Sequence, residues 1–317
     1  MSWRLRAAII RMLAEVPGGR FIYQRLQSLM GLHRNPRFLA AKMERFSRFA
    51  DGIRSSGIVP LGKTLMEVGT GSNPLYPIAF WCLGAESIHT FDATRQMLPD
   101  VFGGTLRWIC AERERLMNSW EELAPESVLR QRFDLLSTLA NQPAQMLEAA
   151  NINYCAPTDA AISGLPDDSI DIHYSSNVLE HIPEEVIGRI LKEAFRVVKP
   201  TGLVAHHIDP SDHFSHFDET ITAINFLQFS DREWQRIAGN SLSYHNRLRD
   251  SQLAALFRKN GLHIIDHRFG LDERSVAAIR DGFPLDTRFA SMSEEDLCRR
   301  SLDFVARVSV VRRTDES

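Results

Sequence analysis

The stretch L-M-E-V-G-T-G-S-N-P-L-Y-P-I, residues 65–78, decides the fold of this chain. It predicts a short apolar strand that carries the acid Glu67 and ends in the turn Gly69-Thr70-Gly71. Glycine has no Cβ, so a turn with two glycines lets the backbone bend sharply and approach a bound molecule. The stretch therefore predicts a ligand cradle at the end of a strand.

The residues after the turn narrow the kind of ligand. In the dinucleotide fingerprint G-x-G-x-x-G the third glycine lets a helix pack closely beside a pyrophosphate, but Pro74 stands at that position. Proline is favoured in the first turn of a helix, and Asn73 or Ser72 can cap that helix. A helix start is therefore predicted, and pyrophosphate binding is disfavoured. Since G-x-G also occurs in ordinary turns, its meaning depends on the elements that follow.

A strand, helix and strand unit surrounds the turn. Residues 64–68 and 87–91 are predicted strands, and residues 74–83 are a predicted helix between them. Such a unit requires a parallel strand pair joined by a right-handed crossover. Asp92 ends the second strand, 21 residues after Gly71. At this place a carboxylate can accept hydrogen bonds from both hydroxyls of a ribose.

Strands and helices alternate through the rest of the chain. Further strands are predicted at residues 152–155, 170–174, 203–208, 262–269 and 304–312. Helices are predicted at residues 21–30, 36–55, 183–198 and 251–259. Residues 93–150 are longer than an ordinary crossover, and we interpret them as a crossover helix with an inserted helical element. The alternation predicts an α/β fold with a parallel sheet.

Six short segments occur in the order typical of one enzyme family. They are E-V-G-T-G-S-N at 67–73, F-D-A at 91–93, T-D-A at 158–160, L-P-D-D-S-I-D at 165–171, S-N-V-L-E-H-I at 176–182 and V-V-K-P-T-G at 197–202. With these segments the chain resembles the class I S-adenosylmethionine-dependent methyltransferases over about 140 residues. The resemblance implies a Rossmann-like, doubly wound, seven-stranded sheet with a C-terminal antiparallel hairpin. It also implies S-adenosylmethionine as cofactor and methyl transfer as the activity.

The resemblance implies cofactor contacts at the carboxyl ends of the strands. The implied positions are Glu67, Gly69, Thr70, Gly71, Asn73, Asp92, Asp159, Ala160, Ser176 and Asn177. Within this set, Glu67 is implied to bind the ammonium group, Asp92 the ribose and Asp159 the adenine amino group. Open α/β sheets bind ligands at this edge, so the implied positions agree with one another.

A histidine-rich segment follows the fifth predicted strand. Residues 206–218 read H-H-I-D-P-S-D-H-F-S-H-F-D. Methyl transfer to an alcohol benefits from a general base, and histidine is well suited to that role. We take His207 and His213, with His181 in the preceding loop, as candidate catalytic bases. Loop-capping and core roles are the main alternative, and a divalent metal site is a further one, although no metal ligand is assigned.

Residues 210–250 are predicted to form a lid over the acceptor. Polar and aromatic side chains in it, which can form a wall and donate hydrogen bonds to an anionic or sugar acceptor, are Trp234, Tyr244, Asn246, Arg247 and Arg249. An internal structural role is the alternative for each of them.

We divide the chain into an N-terminal basic helical region, residues 1–58, and a methyltransferase domain, residues 59–317. The domain carries insertions at about residues 95–150, 210–250 and 272–300.

Charge is distributed unevenly along the 317 residues. The first 50 residues hold ten Arg or Lys against Glu15 and Glu44, which gives this region a charge of +8. Since the net charge of the whole chain is −3, the remaining residues carry a charge of −11. Such a basic head can dock on the acidic body of its own protein, lie on an anionic membrane or contact nucleic acid. Nucleic acid is disfavoured because the body is acidic and no RNA-binding module is recognisable.

Cysteine use and hydropathy predict the compartment. The four cysteines form no C-x-x-C pair, which is typical of a reducing compartment. No window approaches the roughly 20 apolar residues of a membrane span, and Arg11 and Glu15 interrupt the apolar N-terminal run. We therefore expect a cytoplasmic protein, with peripheral contact at the inner membrane surface as an alternative.

The preferred function is O-methylation of a small-molecule or sugar hydroxyl with a histidine base. Methylation of a lipid head group or a nucleic acid is the first alternative. A non-catalytic scaffold that retains the fold is the second. The sequence does not indicate an oligomeric state.

Overall fold

The computed structural model describes residues 1–19, 22, 23 and 35–309. The strands are β1 (Thr64–Val68), β2 (Ser87–Phe91), β3 (Ile152–Cys155), β4 (Ile170–Ser176), β5 (Val198–Ile208), β6 (Leu262–Leu271) and β7 (Arg299–Val308). The helices are α1 (Trp3–Glu15), α2 (Pro36–Ser55), α3 (Leu75–Cys82), α4 (Pro99–Ala111), α5 (Arg113–Ser119), α6 (Glu126–Leu139), α7 (Pro143–Ala149), α8 (Glu184–Val197), α9 (Asp231–Ala238), α10 (Asp250–Lys259), α11 (Glu273–Arg280) and α12 (Glu294–Cys298).

The seven strands form one sheet in the order β3-β2-β1-β4-β5-β7-β6. The strands β1 to β5 run parallel, while β7 is antiparallel to both β5 and β6. This arrangement confirms the predicted doubly wound sheet with a closing antiparallel hairpin. The strand order reverses between β1 and β4, which places a topological switch point at their carboxyl ends.

Helices cover both faces of the sheet. On one face α2, α3 and the helices α4 to α7 enclose a large apolar cluster, in which the rings of Phe80 and Tyr174 lie 4.7 Å apart, edge to face. On the other face α8 and α10 pack over a second cluster, in which Phe257 stacks on Phe304 at 4.9 Å. Each face buries a continuous apolar layer, so the sheet edge alone is left for polar chemistry.

Several element boundaries match the sequence predictions. The strands β1, β2 and β3 and the helix α2 begin and end at the predicted residues. The strand β5 begins at Val198 instead of residue 203, because Val198 pairs with Ile170 before a register shift leads to the Ile172 and Leu203 pair. Similarly, β7 begins at Arg299, which pairs with Leu271 across the hairpin. The predicted helix 21–30 lies almost entirely outside the described residues.

The long crossover, residues 93–150, contains the four helices α4 to α7. Leu106 of α4, Phe133 of α6 and Trp120, which directly follows α5, are buried in the first cluster. The helix α1 contributes Trp3, Ala7 and Ile10 to a third apolar cluster. It shares this cluster with residues of the segment 210–250, which we call the acceptor segment. Among the described residues, no helix combines the length and the apolar character needed to cross a membrane.

Candidate active site

The glycine turn lies at the switch point, between β1 and α3. Both Gly69 (φ +82°) and Gly71 (φ +66°) adopt left-handed backbone angles that other residues rarely adopt. A Cβ at Gly69 would lie 2.5 Å from Cγ2 of Val178, in the loop after β4, whereas the space beside Gly71 is open to at least 4 Å. The turn therefore touches a neighbouring loop at its first glycine and leaves room for a ligand at its second.

Asp92, at the end of β2, lies next to this open space. Its two carboxylate oxygens accept from the backbone N–H of Gly71, each at 3.2 Å, and Oδ2 accepts from the Tyr154 hydroxyl at 2.9 Å. Burial raises the pKa of Asp92 to about 6, and the hydrogen bonds from Gly71 and Tyr154 oppose that shift. Tyr154 could not be identified from the sequence, because its contact with Asp92 depends on the pairing of β2 with β3.

Glu67 is buried within β1. The Thr90 hydroxyl donates to its carboxylate and also contacts the Thr70 hydroxyl. Burial raises the pKa of Glu67 to about 7, while hydrogen bonding to Thr90 and the charge of Lys42 on α2 act in the opposite direction. A change of protonation at Glu67 is therefore accessible near neutral pH.

Two asparagines at the edge hold unpaired side-chain oxygens. Asn73 donates from Nδ2 to the Thr105 hydroxyl at 2.7 Å, but its buried Oδ1 has no hydrogen-bond partner among the described residues. Asn177 has a left-handed φ of 55°, its N–H donates to the His207 carbonyl, and its Oδ1 is likewise buried without a partner in the described chain. An oxygen of this kind that stays without a donor costs about 1–3 kcal/mol, so both can accept a hydrogen bond from a bound molecule.

The remaining predicted cofactor positions lie beyond β3 and β4. Asp159 uses Oδ1 to accept from the Ala161 N–H at 2.9 Å, which caps a short turn that begins at the buried Ala160. Ser176 ends β4 directly opposite His207 of β5. The structure thus brings the ten predicted cofactor positions to the carboxyl ends of the strands and the loops that follow them.

The histidine-rich segment is divided among three environments. His206 points into the core, where Nδ1 hydrogen-bonds the Ser175 hydroxyl at 2.7 Å. His207 lies on the opposite side of the strand, and its Nδ1 is 2.6 Å from Oδ1 of Asp303 on β7. His213 joins His181 and His245, with ring centroids 4.1 to 5.0 Å apart. The three predicted bases therefore do not share one position: His207 is paired with a carboxylate, and the other two are clustered.

Asp303 and His245 are functional candidates that the sequence did not single out. Asp303 is 96 residues from His207 and reaches it only because β7 pairs with β5. Glu180 is a third, since it is buried beside the histidine cluster, accepts from the Asp209 N–H at 3.4 Å, and has a pKa well above its ordinary value because of burial. These residues reach their partners only through contacts between distant segments, and such contacts leave no local pattern in the sequence.

The polar residues of the predicted lid hold the segment together. Arg247 donates to the carbonyls of Phe226 and Phe229, and Arg249 is buried with its guanidinium directed at the Pro210 carbonyl. Trp234 packs in the third apolar cluster. Asn246 donates to the carbonyls of Leu179 and Ile182, while the Tyr244 carbonyl contacts His181. These contacts agree with an internal structural role for each of these side chains, which was the alternative to acceptor binding. The backbone of the segment lies against the loop after β4.

A family model described as a methyltransferase domain matches residues 128–206. A comparison with curated protein sequences found no match. Among solved structures, one similar chain is the proposed methyltransferase in a complex with the Trm112 methyltransferase activator from Haloferax volcanii, with 17% identity, a TM-score of 0.45, and coverage of 86% of this chain and 94% of that chain. A proposed sarcosine dimethylglycine methyltransferase from Galdieria sulphuraria shows 14% identity, a TM-score of 0.48, and coverage of 86% and 88%. Magnesium protoporphyrin IX methyltransferase from Synechocystis, solved with S-adenosylhomocysteine, shows 13% identity, a TM-score of 0.44, and coverage of 85% and 84%.

The residues at the switch point fit S-adenosylmethionine. The space beside Gly71 is open, the unpaired oxygens of Asn73 and Asn177 can accept from polar groups of a ligand, and the carboxylates of Glu67 and Asp92 complement a ligand that carries an ammonium group and ribose hydroxyls. The matched family model and the strand order point to the same enzyme class. Residues 128–206 thus match a methyltransferase domain, and the sheet has the strand order that the sequence resemblance implied.

Proposed function

We propose that this enzyme methylates a hydroxyl group of a small-molecule or sugar acceptor, with His207 as the general base. The pair formed by His207 and Asp303 carries the proposal. A carboxylate that accepts from Nδ1–H fixes the tautomer in which Nε2 has a free lone pair. Asp303 lies on Nδ1 at 2.6 Å, so Nε2 of His207 is the nitrogen that can accept a proton.

S-adenosylmethionine supplies a methyl group on a positively charged sulfur. The acceptor oxygen forms a bond to the methyl carbon as the bond from that carbon to sulfur breaks. His207 takes the hydroxyl proton on Nε2, and Asp303 stabilises the imidazolium that results. Asp303 is a positioning residue, since it acts on the reacting atoms only through His207.

The position of His207 in the sheet supports the proposed role. It lies opposite Ser176 in the pairing of β4 with β5, and its carbonyl accepts from the Asn177 N–H at 2.9 Å. Both of those residues are predicted to border the sulfonium side of the cofactor. A base at this position would lie beside the reacting carbon, which is the placement that general-base catalysis requires.

The cofactor contacts remain predictions for each residue. We assign the ammonium group to Glu67, the ribose to Asp92 and the adenine amino group to Asp159. The backbone amides and polar groups that would complete the site belong to Gly69, Thr70, Gly71, Asn73, Ala160, Ser176 and Asn177. These assignments are supported by the position of each residue at the switch point.

The acceptor class is tested with purified enzyme and S-adenosylmethionine that carries a labelled methyl group. A panel of sugars, phenols and hydroxy acids is compared with amines of similar size, and the labelled product is analysed by NMR. We expect the label in an O-methyl ether or ester. A labelled N-methyl product would contradict the proposal, and cofactor binding without transfer to any acceptor would favour the scaffold alternative.

A second proposal, peripheral contact with an anionic membrane, is supported by α1. This helix exposes the apolar side chains Leu5, Ile9 and Met12, and Val16 directly after it is exposed as well, while Trp3, Ala7 and Ile10 of the helix are buried. An exposed apolar stripe on a basic segment is typical of interfacial helices.

Sedimentation with anionic vesicles tests this proposal. Replacement of Leu5 and Met12 by glutamate is expected to abolish binding, and equal binding of wild type to neutral vesicles would contradict the electrostatic part. The cytoplasmic location stays a prediction.

A further inference from the structure

We propose that His181, His213 and His245 bind a divalent transition-metal ion of the zinc type. Each of these residues offers one ligand nitrogen, and the three nitrogens lie within 4.8 Å of one another. In a tetrahedral zinc site with bonds of about 2.0–2.1 Å, ligand nitrogens lie roughly 3.4 Å apart. Small rotations of the three side chains would close that difference. The proposed site goes beyond the methyl-transfer function and does not depend on it.

Backbone carbonyls fix the protonation of two of the rings. Nδ1 of His245 lies 3.1 Å from the Ser243 carbonyl, and Nδ1 of His181 lies 3.1 Å from the Tyr244 carbonyl. Since a carbonyl oxygen only accepts, Nδ1 carries the proton in both rings. Nε2 of each ring therefore has a lone pair, as a metal ligand requires. Hydrogen bonds of this kind orient the imidazoles at known metal sites.

Two of the nitrogens that would bind the ion have no hydrogen-bond partner among the described residues. His245 is only 7% exposed, and its Nε2 has no hydrogen-bond partner among the described residues. Nε2 of His213 is also buried without a hydrogen bond in the described part of the chain. A buried polar atom without a partner costs about 1–3 kcal/mol. Two such atoms within one histidine cluster indicate that something binds between the rings.

Nearby groups support a cation at this place. Oδ2 of Asp209 lies 3.8 Å from Nε2 of His213 and 3.6 Å from Nε2 of His216, so a carboxylate borders the cluster. Neutral imidazoles suit zinc, copper, iron and nickel. Three histidines also leave the fourth position of a tetrahedral ion open for water or another ligand.

The three ligands come from separate segments at the carboxyl edge. His181 ends the short turn Leu179–His181 after β4, and His213 begins the turn His213–His216 after β5. His245 precedes α10, and the adjacent Asn246 holds that segment to the carbonyls of Leu179 and Ile182. A bound ion would therefore connect three loops that the sheet alone does not hold together.

Metal binding to the full-length protein tests the proposal. Chelator-treated enzyme is titrated with Zn²⁺ by calorimetry and with Co²⁺, whose visible absorption reports tetrahedral nitrogen coordination. We expect one ion per chain and a rise in melting temperature of about 5 °C at a hundredfold excess over Kd. His181→Gln and His245→Gln are each expected to weaken binding at least about 100-fold, which exceeds the usual effect of residues outside the ligand set. His263→Gln, at an exposed histidine of β6, is the matched control and is expected to bind as wild type does.

Besides unchanged Co²⁺ absorption in the histidine variants, two results would overturn the proposal. One is the absence of Co²⁺ or Zn²⁺ binding to wild type up to millimolar concentration. The other is equal loss of binding in the His263→Gln control. Circular dichroism establishes that each variant is folded. If His245→Gln does not fold, the more exposed His181 decides the question, and unchanged Co²⁺ absorption in His181→Gln would exclude the site.

Discussion

The carboxyl edge of the sheet has an acidic half, at β1 to β3, and a histidine half, at β4 and β5. In the acidic half, Glu67 and Asp92 accept hydrogen bonds from neighbouring residues. In the histidine half, the Nε2 atoms of His213 and His245 have no hydrogen-bond partner among the described residues. The acidic half is thus held in place by its own chain, and the histidine half offers free lone pairs.

This difference separates binding from reaction. Carboxylates that are already oriented by protein donors recognise a ligand without rearrangement, which favours affinity. Imidazole nitrogens with free lone pairs can take a proton or a metal ion. We therefore expect substitutions in the acidic half to change cofactor affinity and substitutions in the histidine half to change turnover or metal binding.

The largest expected effect is on turnover. His207→Ala removes the proposed base and is expected to lower kcat about 10²–10⁴-fold, with the Kd for S-adenosylmethionine within about twofold of wild type. Asp303→Asn should lower kcat less and shift the pH profile of kcat, because the amide does not stabilise the imidazolium. Steady-state kinetics and calorimetry measure the two quantities. A loss of cofactor affinity that equals the loss of kcat would remove the distinction between the two halves.

The next effect concerns cofactor affinity. Asp92→Asn replaces a charged acceptor and is expected to weaken binding about 10–100-fold, since a hydrogen bond to a charged group contributes about 1.5–3 kcal/mol. At saturating cofactor, kcat should change little. Asp281→Asn, at an exposed residue after α11, is the matched control. Calorimetry that shows equal affinity for Asp92→Asn and wild type would contradict the ribose assignment.

The buried His173 of β4 predicts that the folded protein is sensitive to acid. Burial lowers the pKa of His173 from 6.5 to about 4. Between these two values the unfolded chain binds more protons than the folded one, so stability is lost as pH falls from 6.5 toward 4. At pH 5 the expected loss from this group is about 2 kcal/mol. Denaturant unfolding at several pH values should show a shallower slope for His173→Gln than for wild type, and an unchanged slope would contradict the prediction.

The smallest effect concerns the pH dependence of cofactor binding. The pKa values of Glu67 and Asp92 are raised to about 7 and about 6, mainly by burial. Both carboxyls are ionised above these values and become neutral as pH falls. We therefore expect affinity for S-adenosylmethionine to decrease by up to about tenfold per pH unit between pH 7 and pH 6, where Glu67 becomes neutral before Asp92 does. Glu67→Gln should flatten the part of the profile near pH 7. A flat wild-type profile from pH 5 to 8 would contradict both assignments.

The strands and the acidic half could be predicted from sequence because their signals are local. The strand β1, the turn Gly69-Thr70-Gly71 and Asp92 lie in one unit, whose spacing follows from the βαβ geometry. The matched bounds of β1 to β3 reflect short apolar runs between clear turns.

The histidine half depended on contacts that sequence does not show. Side chains alternate along a strand, which sends His206 to the core and His207 to Asp303, 96 residues away. The approach of His245 to His213 depends on how the acceptor segment folds back against the β4 loop. A dense histidine segment therefore indicated chemistry without indicating which residue performs it.

The contact between Gly69 and Val178 links the two halves mechanically. A Cβ at Gly69 would displace Val178, and Val178 stands between Asn177, a predicted cofactor position, and the turn that ends in His181. A movement of the glycine turn on cofactor binding would therefore displace Val178 and, with it, the turn that carries the proposed metal ligand His181. Since such coupling is reciprocal, cofactor and metal ion should each change the affinity of the enzyme for the other by the same factor.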